Sequence, residues 1–256
     1  VGVTANRGQP RGEKPRLYRN PPTSVARLFR LVTLFVFRES LSKARARPRG
    51  SVAASFAPLM RDPLFLAVTG QQFFSSGILF GHISASPFIF QMIFGLSPSD
   101  YGMVFGMLAL SITAGAMASS RFASPVSAME KGAFCTLIGG ALTAAAFALD
   151  APLPAAIAAM TVMLVTLGLT LPSAMTFALT LHRERAGAAA AILGSVSFLG
   201  GGLVAPLTSL ADPRICVSII FIFSGLMLVL IALATRRGLA RVRDRQAGEA
   251  LELMKD

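Results

Sequence analysis

An all-α membrane protein with six transmembrane helices is the fold class that this sequence predicts, on three observations. The 256 residues are 54% hydrophobic and only 14% charged, whereas about a quarter of a soluble domain is charged. The mean hydropathy is +0.64. Six apolar stretches approach the roughly 20 residues needed to cross a hydrocarbon core, and the short connectors between them alternate in charge.

Residues 1–61 form a basic segment holding thirteen of the 24 Lys and Arg. The first part is polar and rich in Pro and Gly, a composition expected to be disordered. The apolar run at 31–37, flanked by Arg27, Arg30 and Arg38, is too short to span. It suits a basic amphipathic helix on the membrane surface or the end of a longer helix.

The predicted spans are 64–90, 101–118, 132–149, 154–179, 187–210 and 215–235. They define a transmembrane domain over 62–237, and 238–256 reads as a cytoplasmic tail. The connectors carry turn residues, as in "GLSPSD", "DAPLP" and "ADPR". Loops after the first, third and fifth spans hold Asp100, Asp150 and Asp212 with one cation, Arg214. The others hold Arg121, Lys131, Arg183 and Arg185, on the side of the basic segment and tail. Lys and Arg of short loops stay cytoplasmic. Both termini are therefore expected in the cytosol of a bacterium, with the spans in its inner membrane.

Polar residues inside the first span point to function. At about 100° per residue, Gln71, Ser75, His82 and Ser86 fall within a sector of about 60°. Polar groups in hydrocarbon need partners or water, so this stripe is expected either to line an aqueous cavity, with Gln91, or to bond a neighbouring helix. His82 can carry a proton or serve as a neutral hydrogen-bonding group. Pro87 is expected to interrupt the helix near its end, and Pro172 and Pro206 to do so in the fourth and fifth spans. Gly187, Gly194 and Gly201 recur every seven residues, giving a small-residue face on which helices can approach closely.

Other classes find no support. There is no HExxH, P-loop or nucleophile elbow, so neither enzyme, cofactor nor metal site is expected. A channel would need a filter motif or charged ring. The basic arm is read as an orientation or lipid signal, not as a nucleic-acid site. Cys135 and Cys216 are too few for a disulfide framework and read as small buried hydrophobes.

"HISASPFIFQMIFGLSPSDYGMVFG" resembles the seventh helix and following loop of Bcr/CflA-type drug-resistance transporters of the major facilitator superfamily. That family carries Y-I-S-x-S-P-F-x-x-Q followed by Y-G-x-S-x-x-x-F, so His82 replaces an aromatic and Phe94 stands where Tyr is common. "LPSAMTFALTLHRERAGAAAAILGSVSFLGGGLVAPL" resembles helices ten and eleven. Phe198 matches the family aromatic, and Ser197 replaces a Gln. "FRESLS" at 37–42 resembles the close of helix six.

The resemblance implies one half of a major-facilitator-type bundle, the C-terminal six helices of a twelve-span carrier. It implies export of small amphipathic compounds against proton entry, with the bilayer, the substrate and the proton as partners. The motifs of an N-terminal half are missing and no Met stands first. The chain therefore reads as a fragment, a truncated or frame-disrupted product, or half of a split transporter completed by a missing N-terminal half. Rival readings are a six-span homodimeric carrier completed by a second copy, and a non-transporting remnant.

Overall fold

Ser or Asp followed by Pro opens four of the membrane helices, and that pairing explains where they start. A computed structural model describes the backbone of residues 52–253 and the side chains of 55–240. The chain divides into two units at residue 50, and the second begins at Ser51. The expectations for 1–50, including the surface helix near 31–37 and "FRESLS", lie outside the described residues. At the end of the basic segment expected over 1–61, Val52–Arg61 forms a helix, α1, which buries Leu59.

Helix α2 is Pro63–Pro87, capped by Asp62, whose Oδ1 accepts from the Leu64 amide at 2.8 Å. Helix α3 is Pro98–Ser119 and is capped by Ser97; α4 is Pro125–Ala148 and is capped by Ser124. Helix α5 is Leu153–Leu181, and a 3-10 turn, Arg183–Arg185, leads into α6, Ala186–Leu207. Helix α7 is Pro213–Leu253, with Asp212 Oδ1 accepting from the Arg214 amide at 2.8 Å. Short polar side chains satisfy the orphan amides of a first helical turn, while proline has none to satisfy and brings a pre-set φ.

Among the described residues six helices are long and apolar enough to cross a membrane. The shortest, α3 and α6, have 22 residues each, or about 33 Å at 1.5 Å per residue. No strand occurs among the described residues. The fold is all-α with six candidate spans, as expected of one half of a major-facilitator-type bundle.

Two boundaries differ from the predicted ones for clear reasons. Helix α4 begins at Pro125, seven residues early, because the Ser124 cap sets the start and Glu130 and Lys131 simply ride on its polar first turns. Helix α7 continues past the apolar stretch to Leu253.

Pro87 does not break α2. The helix widens into a π-helical turn, Phe88–Ile93, in which the Phe94 amide donates to Ile89 O at 3.1 Å, and Gly95, at φ +70°, ends it. A π turn absorbs the mismatch that a helical proline creates. Helix α5 runs unbroken through Pro172, and Pro206 sits in the last turn of α6.

Helices α2, α7, α4 and α5 pack in a closed ring, each against two others, around a core that includes Ile78, Phe90, Met160, Leu164 and Phe221. Helices α3 and α6 flank the α2–α5 pair, α3 mainly on α5 and α6 mainly on α2. Glycines permit the tightest crossings. A Cβ on Gly115 of α3 would strike the carbonyl of Val165, and one on Gly168 of α5 would strike that of Ile112.

Candidate functional site

Lipid stabilises apolar side chains on the outside of a bundle, so polar groups migrate to the inside. The α2 stripe follows this rule. Gln71, Ser75, His82 and Ser86 are all buried, enclosed by the chain's own helices. Tyr101 and Phe105 of α3 cover its outer part. Ser86 Oγ and Tyr101 Oη lie 3.0 Å apart, and the His82 ring stacks on Phe105 at 5.9 Å with 4° between planes. Both amide atoms of Gln71, the Ser75 hydroxyl and His82 Nδ1 have no hydrogen-bond partner within the described residues. Gln91 stands apart, half-buried in the π turn.

The opposite side of α2 faces out. Leu66, Ile83 and Phe88 are exposed, and Phe73 and Phe80 are half-buried. Helix α6 lies along this side. Gly200 backs onto Phe73 and Gly201 onto the Phe80 ring, and Phe198 stands 6.1 Å from Phe80. Phe198 is 73% exposed. Gln72 Nε2 donates across this seam to Ser197 Oγ at 2.9 Å, and Ser84 Oγ donates across it to Ala205 O at 3.3 Å. Farther along, Thr208 Oγ1 donates to Ser84 Oγ at 3.1 Å. Met103, Met107 and Leu110 extend the apolar surface on α3.

The heptad glycines require a correction. Among the described residues only Gly201 of the three meets a neighbour, and a Cβ on Gly187 or Gly194 would find none of them within 4 Å. The glycines do share a side of α6. The neighbouring helix crosses that side only near Gly201, about 21 Å along the axis from Gly187. Nearer Arg185 the helix buries Ala189 and Leu193 instead, well over a quarter turn away. Gly200 is the packing residue that the seven-residue spacing misses.

The aromatic seam was the part least visible to sequence reasoning. Phe73, Phe80 and Gln72 look like generic span residues, and only the crossing of α2 with α6 joins them to Phe198 and Ser197. Cys135 is exposed, against expectation, and Cys216 is half-buried; neither forms a disulfide.

The two ends of the bundle differ. At one, His182 Nε2 lies 2.8 Å from Asp62 Oδ2 and ties the α5–α6 turn to the start of α2. At the other, Arg214 Nη1 donates to Asp150 at 2.7 Å and Nη2 to Asp212 at 3.1 Å. These hydrogen bonds hold the Asp212 carboxyl below its ordinary pKa. Among the described residues, no group of three or more His, Cys, Asp or Glu is placed to hold a metal.

No family model matches the chain. Over 191 residues it is 28% identical to the "Uncharacterized MFS-type transporter YdgK" of Bacillus subtilis (strain 168), an alignment covering 72% of this chain and 48% of that protein. The chain thus spans about half the length of the curated relative it matches. The likeness and the six apolar helices support a multi-pass membrane protein.

Proposed function

We propose that the chain forms one half of a membrane transporter, of the Bcr/CflA drug-resistance type, that exports small amphipathic compounds in exchange for protons. One observation carries this reading: the α2–α6 seam presents Phe73, Phe80 and Phe198 on an open face with few polar groups, the Gln72–Ser197 pair beside them and Ser84 bonded to Ala205 O and Thr208 farther along. Apolar aromatic walls with few polar groups suit ligands that are mostly hydrocarbon with a polar or cationic end.

Gln91 lies apart from this face, in the π turn. The stripe of Gln71, Ser75, His82 and Ser86 lies behind the face under Tyr101 and Phe105, and movement of α3 away from α2 would uncover it. Pro87 and its π turn supply a bending point beside Gln91. On the positive-inside reading, Arg121, Lys131, Arg183, Arg185, Arg236 and Arg237 place both ends of the domain on the cytoplasmic side of a bacterial inner membrane.

The test is an efflux assay on cells expressing this chain alone and together with the six-helix N-terminal half of a related carrier. Export of a lipophilic cation only on co-expression supports the half-transporter reading. Export by the chain alone, with crosslinked dimers, favours the homodimer. Absence of export in both arms overturns transport.

A further inference from the structure

An open groove of about 430 Å³ lies between α4 and α7 at the end of the bundle that carries Asp150 and Asp212. Its wall on α7 is Ile215, Ile219 and Ile222, and its wall on α4 includes Phe147. The isoleucines, at spacings of four and three, form one stripe running about 10 Å down α7 from the bundle end. The groove therefore starts at a charged rim and descends along membrane-embedded helix.

The rim consists of Asp150, Asp212 and Arg214. Two carboxylates against one guanidinium leave one net negative charge. Arg214 uses Nη1 on Asp150 and both Nη2 and Nε on Asp212. A guanidinium has five N–H donors, so one on each Nη remains. Asp150 accepts through Oδ1, and its side chain is 81% exposed.

We propose that this groove is a binding site for an amine-headed zwitterionic phospholipid. An acyl chain lies along the isoleucine stripe, the phosphate accepts the remaining N–H groups of Arg214, and the primary ammonium donates to Asp150. The charges select this occupant. An anionic headgroup lacking an amine meets the net negative rim with nothing to offset the repulsion. A quaternary ammonium has the charge but no N–H to donate. A soluble zwitterion leaves the apolar walls unused.

Native mass spectrometry of the full chain in mild detergent tests this with phosphatidylethanolamine, phosphatidylcholine and phosphatidylglycerol of matched acyl chains. Ethanolamine lipid should be retained about threefold over each of the others at low salt, the scale of an exposed charge-assisted contact, and the preference should shrink as salt rises. Asp150→Asn should bring the ethanolamine-to-choline ratio to near unity. Asp100→Asn, at the same end but in another loop, should leave it unchanged. Ala144→Leu narrows the groove without touching a charge and should lower retention of all three lipids. Equal or better retention of phosphatidylglycerol overturns the proposal from the unmutated protein alone. So does a preference that survives Asp150→Asn, or lipid retention unaffected by Ala144→Leu. An alkylamine that displaces the lipid as well as phosphatidylethanolamine does would rule out the phosphate contact to Arg214.

Discussion

Gln72 and Ser197 meet across the α2–α6 seam at 2.9 Å, and Ser197 donates its own O–H to Leu193 O at 2.8 Å, so the serine oxygen is free to accept from the amide. Interhelical hydrogen bonds in membranes average about 0.6 kcal/mol. Ser197→Ala should therefore lower stability by about 0.5–1 kcal/mol, read from thermal unfolding in detergent. A larger loss would mean that the pair anchors more than its own contact.

Gly168→Ala is expected to cost about 2 kcal/mol or more, because its Cβ would press on the Ile112 carbonyl and neither backbone can yield. Gly187→Ala should be neutral or stabilising by up to about 1 kcal/mol, since open space lies before it and alanine favours helix. Equal losses at the two positions would restore the heptad face as the packing surface.

His82→Phe should preserve the stack on Phe105 and remove the unpartnered Nδ1, leaving stability equal or higher. His82→Ala should lose roughly 2 kcal/mol through the cavity it opens. The melting temperatures of the two variants decide the matter. A His82→Phe protein clearly less stable than the parent would show that the imidazole nitrogen has a polar partner.

Phe198→Ala, in an assembly that exports, should reduce efflux of a lipophilic cation by up to about tenfold, the upper end of one aromatic contact. Leu210→Ala, exposed beyond the end of α6, serves as the control and should change little. Equal efflux in Phe198→Ala and the parent would remove the seam from the substrate path.

The Asp212 carboxyl is held low by the hydrogen bonds from Arg214. Its stabilising contribution is present above the ordinary aspartate value of about 3.9 and is lost as pH falls through the lowered one. The gap in melting temperature between the parent and Asp212→Asn should be constant near neutrality and close in acid. A gap that stays open at low pH would assign the effect to packing.

Helix number was legible because each span is a run of apolar residues bounded by a turn, and Asp62-Pro63, Ser97-Pro98, Ser124-Pro125 and Asp212-Pro213 mark the starts. The polar sector of α2 was legible too, since 100° per residue needs only the sequence. What that sector faces was not. The phenylalanines opposite it are stable in lipid or against a partner, so hydropathy cannot tell an outer wall from a seam. The glycine spacing failed for a related reason: periodicity names a side of α6, but only the crossing with α2 decides where along that side anything touches.

The ring of four helices has a consequence for biogenesis. Its first member, α2, and its last, α7, sit side by side, yet synthesis separates them by the whole domain. Until α7 emerges, α2 and α4 each wait in the bilayer with a bare flank. A premature stop anywhere before residue 213 therefore removes the keystone along with the tail, and the nascent chain up to that point has no closed arrangement to adopt.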